Sequence, residues 1–109
     1  MDEQVRKYVE QYLSAIVNMY HALRTLILDS APAAPQEKLW AKLPSYYVGE
    51  AFVRLIPFKD HINIEASAAA AHRQELAGYK MTPKGMLQIF LGQGIPGDAL
   101  RRIFEETLH

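Results

Sequence analysis

The strongest constraint on the fold of this chain is a change of hydrophobic period near its middle. Between residues 61 and 66, polar side chains at odd positions alternate with apolar side chains at even positions. This alternation is typical of a strand with one dry face and one wet face. The stretch before it, 45–57, is rich in Tyr, Val, Phe and Ile. The short connection at Lys59-Asp60 predicts that the two stretches pair as an antiparallel hairpin.

If the hairpin is centred on Lys59-Asp60, the opposed residues follow by counting outward. Phe58 then faces His61, and Arg54 faces Glu65, an opposite-charge pair that supports the register. Lys-Asp is not a favoured two-residue turn. A four-residue loop about the same centre keeps the pairing, whereas a three-residue loop reverses the faces. One face of the hairpin is then apolar. The other face carries a mixed set of side chains, namely Phe52, Arg54, Ile56, Phe58, His61, Asn63 and Glu65.

The two ends of the chain have helical spacing. Apolar residues recur at steps of three or four through 3–29, which predicts a helix with one apolar stripe. A single helix of that length would measure roughly 40 Å, whereas a domain of this size is about 26 Å across. A break near Leu13–Ser14 is therefore left open. We also predict a helical turn at 36–41, a helix at 68–77 and a last helix that begins at Pro96.

The remaining segments complete an α+β domain. Strands are predicted at 45–48, 50–57, 61–66 and 84–91, with a short strand at 79–81. They form an antiparallel sheet of four or five strands, with the N- and C-terminal helices on the face of Leu55, Ile64 and Ile89. At 109 residues, we expect 1–109 to form a single domain.

Composition excludes several classes of protein. Cysteine is absent, which rules out disulfides and thiolate metal sites, and 12 basic residues balance 12 acidic ones. Without a basic surplus, nucleic-acid binding is disfavoured. No apolar run is long enough for a membrane span, and the acidic start, 1–4, does not resemble a secretory signal. We expect a cytoplasmic protein that is a monomer or a weak homodimer.

No pattern of residues predicts catalysis or a tight metal site. The serines lie in no nucleophile motif, and no histidine pairs with another at ligand spacing. His61 and Glu65 are roughly 13 Å apart along their strand. His72 and Glu75 could approach one ion if the segment is helical, although a surface contact resembling a salt bridge is favoured. We therefore expect no enzyme, and the metal ligands, if any, remain unknown.

Several short segments, taken in order, resemble the YdhG-like domain family. They are Leu43-Pro44-Ser45-Tyr46, Phe58-Lys59-Asp60-His61-Ile62, Glu75-Leu76-Ala77-Gly78-Tyr79-Lys80, Pro83-Lys84-Gly85 and Ile95-Pro96. The resemblance implies a frataxin-like fold and, from one member, an intracellular iron chaperone. This sequence departs from the family at Lys42, where a glycine is usual, and at His72, where an aromatic residue is common.

Two classes of function follow. The resemblance implies an accessory protein that handles iron and delivers it to a partner, and the scattered carboxylates predict that iron binds weakly. The alternative is a module that binds a protein or small molecule through the mixed sheet face, without a metal. Candidate binding residues are Arg54, Lys59, His61, Glu65, Tyr79 and Lys84. A plain solvated face, or one partly covered by the first helix or the chain's own loops, remains the simpler interpretation of the same pattern.

Overall fold

The computed structural model describes all 109 residues, as three helices and one six-stranded antiparallel sheet. The strands are arranged in the order β1-β2-β3-β4-β6-β5. The α+β class and the antiparallel sheet are as predicted, and the sheet has one strand more than the upper estimate. The elements are α1 (Glu3–Val9), α2 (Ser14–Ser30), β1 (Gln36–Trp40), β2 (Leu43–Val48), β3 (Ala51–Pro57), β4 (His61–Ala66), β5 (Lys80–Met81), β6 (Leu87–Phe90) and α3 (Gly97–Leu108).

The register predicted for the central hairpin is confirmed. Arg54 is opposite Glu65 and Leu55 is opposite Ile64 in the β3–β4 pair. The backbone N–H of Phe58 donates to the carbonyl of His61 at 2.8 Å, which closes the turn at the predicted centre. The parity of every side chain on both strands therefore follows the prediction.

One face of the sheet and the helices enclose a continuous apolar core. Leu55, Ile64 and Ile89 are fully buried, as predicted. The same core takes in Leu23 from α2 and Phe104 from α3. Burying such side chains contributes about 1.5–3 kcal/mol each, so the core fixes which face of the sheet remains available for other contacts.

The first helical segment is broken, in the region that the sequence left open. Helix α1 ends at Val9 and α2 begins at Ser14, with Leu13 in an extended conformation (ψ 148°). The longest dimension of the molecule is 36 Å, shorter than the roughly 40 Å of one continuous helix. The break lets α1 fold back beside β1, where the backbone N–H of Asp2 donates to Glu37.

The helical turn predicted at 36–41 is wrong, because this segment is strand β1. Its side chains alternate between exposed and half-buried positions, and Glu37 and Leu39 point inward. The polar composition gave no strand signal, but pairing with β2 decides the structure, as tertiary context often does for edge strands. Ala41 and Lys42 form the turn, with φ angles of 51° and 66°.

The helix predicted at 68–77 is also wrong. Only a short 3₁₀ turn forms, at Ala69–His72, and irregular turns continue to Tyr79. Alanine favours a helix by propensity, but Ala69 and Leu76 are the only fully buried apolar residues in the segment. Short helices need an apolar face to pack, and two anchors seven positions apart do not supply one.

The C-terminal elements are close to the predictions. Strand β6 is shorter than the predicted 84–91, and α3 begins one residue after Pro96. No helix in the structure combines the length and the apolar character needed to cross a membrane.

Candidate binding surface on the sheet

The sheet face opposite the helices carries a connected layer of aromatic, basic and polar side chains. We call it the open face. Its members follow from the strand registers, since opposed residues lie on one side of a sheet. They are Gln36, Lys38, Trp40, Leu43, Ser45, Tyr47, Phe52, Arg54, Ile56, His61, Asn63, Glu65, Lys80, Gln88 and Phe90, with Phe58 beside His61 at the turn.

Arg54 is the centre of one half of the open face. Its guanidinium carbon lies 4.1 Å from the ring centroid of Trp40 and 3.8 Å from that of Phe52. A planar guanidinium is suited to stacking of this kind. Arg54 is only 7% exposed, whereas Trp40 is 50% exposed. A partner that reaches this part of the face therefore meets the Trp40 ring before the arginine.

Each of the three guanidinium nitrogens of Arg54 donates to a neighbouring side chain. Its Nε donates to Ser45 Oγ at 3.1 Å and its Nη2 donates to the Tyr47 hydroxyl at 3.1 Å. Its Nη1 donates to Glu65 Oε1 at 3.3 Å, as the register predicts. Arg54 and Glu65 therefore organise the surface from within, across β2, β3 and β4.

His61 is the centre of the other half. Its ring stacks on Phe58, with centroids 4.5 Å apart and planes 7° from parallel, and on Phe90 at 4.5 Å and 24°. His61 Nδ1 lies 2.7 Å from Asp60 Oδ1, a hydrogen bond that lowers the pKa of the Asp60 carboxyl. Lys80 extends the row, with its ammonium 5.4 Å from the Phe90 centroid.

A polar bridge joins the two halves. Gln88 Nε2 donates to Asn63 Oδ1 at 3.1 Å, and Asn63 is opposite Ile56 on β3. Side-chain contacts thus extend across the open face from β1 to β5.

The charges of this side of the molecule are unevenly paired. The basic partner in every ion pair of the structure is an arginine or a histidine. No lysine nitrogen lies within 4.0 Å of a carboxylate oxygen. Asp60 and Glu65 are both paired, which leaves Glu50 as the unpaired acid of the sheet and its turns. The unpaired lysines on the strands and turns of the sheet are Lys38, Lys42, Lys59, Lys80 and Lys84.

The six candidate residues from the sequence do not form one compact site. Arg54 and Glu65 are in contact, and His61 lies in the second half of the face with Lys59 exposed in the adjacent turn. Tyr79 is partly buried against the core, and its hydroxyl donates to the carbonyl of Gly94. Tyr79 thus links the connection before β5 to the connection after β6.

Lys84 lies in the turn before β6, outside the strands of the open face. It lines a cavity of about 440 Å³ at the end of the sheet, together with Glu50, Glu65 and Met86. The turn that carries it is held by Thr82, whose hydroxyl accepts from the backbone N–H of Met86 at 3.0 Å. The cavity brings unpaired charges of both signs to one opening.

Sequence reasoning missed much of the surface. Lys38 and Trp40 were assigned to a helical turn, and Phe90 and Lys80 were not connected with His61. The segment 36–40 does not alternate polar and apolar residues, so its alternating burial in β1 had no counterpart in the sequence. The stacking partners of His61 depend on the β4–β6 pairing, which no local pattern predicts.

His72 forms the predicted contact with Glu75 and a second one with α3. Its Nδ1 lies 3.0 Å from Glu75 Oε1 and its Nε2 lies 3.0 Å from Glu106 Oε1. Glu106, then Glu75, raises the pKa of His72 by stabilising the charged ring. The carboxylates approach different ring nitrogens. No group of three or more His, Asp or Glu side chains in the structure is placed to hold a metal ion.

Comparisons of the chain with protein-family models, with curated proteins and with solved structures find no match.

Proposed function

We propose that this chain is a binding module whose open face recognises an acidic surface of a protein partner. The observation that carries the proposal is the coincidence of exposed aromatic rings with unpaired lysines on one face of the sheet. Aromatic residues are enriched in protein interfaces, and complementary charge steers encounter and sets register. Trp40 at 50% and Phe58 at 41% exposure supply the apolar contact.

The aromatic rings favour a protein over a single-stranded nucleic acid. Proteins that bind single strands offer free ring faces on which bases stack. Here Arg54 covers the rings of Trp40 and Phe52 on one side, and His61 lies between Phe58 and Phe90. The chain also has no net charge, unlike the strongly basic domains typical of nucleic-acid binding.

Iron handling has no comparable observation in its favour. An iron site needs several ligand atoms that converge on one ion, as transition-metal and hard-cation sites generally do. His61 has one carboxylate neighbour, Asp60, and the two carboxylates at His72 approach different ring nitrogens. We therefore place the binding of an acidic partner ahead of iron delivery.

The experiment uses poly-L-glutamate as an acidic probe and the emission of Trp40, the single tryptophan, as the signal. We expect a saturable change in emission that weakens as salt rises to about 0.5 M. Lys80→Glu should reduce the affinity several-fold, and Lys7→Glu on α1 is the matched control that should leave it unchanged. Lys80 is a better test than Arg54, whose buried network would be disrupted.

An oligothymidylate of about twenty nucleotides is the comparison probe. The proposal fails if poly-L-glutamate leaves Trp40 unaffected, if Lys7→Glu weakens binding as much as Lys80→Glu, or if only the oligonucleotide binds.

A further inference from the structure

Strand β1 forms the longer edge of the sheet. Helix α1 lies against β1, but no strand pairs with its outer side. It pairs with β2 along its whole length, from Gln36–Tyr47 to Trp40–Leu43, without a bulge. Outside the helices and strands, no backbone hydrogen bond involves residues 36–40. The opposite edge, β5, has only two residues. The outward N–H and C=O groups of β1 therefore offer a row of free donors and acceptors.

Natural sheets guard such edges with proline, lysine, bulges or a covering element. Pro35 stands just before β1, but no proline and no bulge interrupts the strand itself. The Lys38 side chain is directed over the ring of Tyr47, 4.9 Å from its centroid. It therefore lies above the open face rather than across the outer edge.

The turn after β1 retains a lysine in a conformation that favours glycine. Ala41 and Lys42 have φ angles of 51° and 66°, and each such residue with a Cβ costs roughly 1–2 kcal/mol. Asn-Gly would suit this hairpin turn without strain. Strain of this kind persists where the surrounding structure imposes it and is concentrated at functional positions. Here it keeps a positive charge at the end of the free edge.

We propose that β1 accepts an extended acidic segment of the partner as an added strand. This inference rests on the proposed function and specifies its partner. Main-chain hydrogen bonds to a sheet edge give affinity, while alternate side chains give specificity. Side chains at every second position of the added strand lie over the open face, where carboxylates meet Lys38 and Lys42. The one acid of β1, Glu37, does not oppose them, since Arg24 Nε binds it at 2.5 Å.

The test uses a fluorescein-labelled peptide of about seven residues, a typical strand length, in which Glu and Val alternate. Two further peptides carry N-methyl groups, one at every Glu and one at every Val. In a strand, alternate amides point to opposite sides, so only one of these two sets can face β1. We expect the parent peptide to bind, one methylated peptide to lose at least about tenfold in affinity, and the other to bind like the parent.

Two measurements on the protein complete the test. Bound parent peptide should slow hydrogen exchange of the outward-facing β1 amides, and Lys42→Gly should weaken binding while it raises stability. If Lys42 had only a structural role, the change that raises stability would not also weaken peptide binding. Equal affinity of the two methylated peptides, or β1 amides that exchange as before, overturns the added strand. If poly-L-glutamate still binds the open face in that case, the proposed function stands; if neither probe binds, both proposals fail.

Discussion

The two hairpins of the sheet, β1–β2 and β3–β4, achieve the same antiparallel pairing under different physical conditions. Strands β3 and β4 lie in the middle of the sheet with Leu55 and Ile64 fully buried. Their connecting residues at 58–60 have no positive φ. Strand β1 lies at the edge, its turn is strained at Ala41 and Lys42, and its last residue, Trp40, is half exposed.

The difference separates the part of the sheet that stabilises the fold from the part that is available for binding. In the central hairpin, local pattern, turn and burial agree, which is the condition for a well-specified structure. The outer hairpin departs from local preference in its turn and in its exposed tryptophan. Departures of this kind are expected at functional positions.

The largest predicted effect is a loss of stability in the central hairpin. Ile64→Ala should lower the free energy of unfolding by about 2–5 kcal/mol, since it opens a cavity in a fully packed site. Leu39→Ala is the matched change on β1, and it should cost clearly less because Leu39 is only half buried. Urea denaturation of both variants measures the difference. Equal losses would contradict the contrast between the two hairpins.

Arg54 connects the two hairpins, because it extends from β3 to the Trp40 ring on β1. Arg54→Ala should destabilise the fold by about 1–3 kcal/mol, since Glu65 and Ser45 lose their partner. The emission of Trp40 should shift to the red and its anisotropy should fall. Arg54→Lys keeps the charge without the planar stack, so it should restore little of the Trp40 signal. A Trp40 spectrum unchanged in both variants would show that the stack does not hold the ring.

The outer turn should gain stability from glycine, and the central turn should not. Lys42→Gly is expected to stabilise the protein by about 1 kcal/mol, because glycine removes the penalty of a positive φ. Lys59→Gly is the control in the other hairpin, where φ is not positive and added freedom of the unfolded chain gives no gain. Thermal unfolding measures the stability of both variants. An equal rise in stability in Lys59→Gly would refute the assignment of strain to Lys42.

The connection at 67–79 is a third case, in which an electrostatic contact replaces regular structure. Because Glu106 and Glu75 raise the pKa of folded His72, their stabilising effect is present below the unfolded pKa, near 6.5, and is lost as pH rises through the folded pKa. Glu106→Gln should therefore destabilise the protein more at about pH 5.5 than at about pH 8.5. The opposite order, measured by urea denaturation, would exclude a charged His72 in the fold.

The smallest effect is expected for iron. Neither hairpin brings three ligand side chains together. Ferrous iron should therefore bind with a Kd no lower than about 1 μM, a binding free energy of at most about 8 kcal/mol. Anaerobic calorimetric titration of the protein measures this. A nanomolar site would favour a dedicated metal protein over a binding module.

The same contrast explains which features were predictable from the sequence. The alternation around Ile64 and the charge pair Arg54–Glu65 both encode the central register, so the core face and half of the open face followed from local pattern. Trp40 was missed because its strand gains its structure from β2 rather than from its own residues. The His61–Phe90 stack joins residues far apart in the chain, and only the strand order brings them together.

The most direct test of the account is a map of the binding surface by nuclear magnetic resonance. ¹⁵N-labelled protein is titrated with poly-L-glutamate, and amide shifts are followed along the chain. The account predicts shifts at β1, at the turn of Ala41 and Lys42, and at the open-face positions of β3 and β6, with α2 and α3 unaffected. Shifts centred on the helices, or no shifts under conditions where the probe binds, would contradict the claim that the open face is the binding surface.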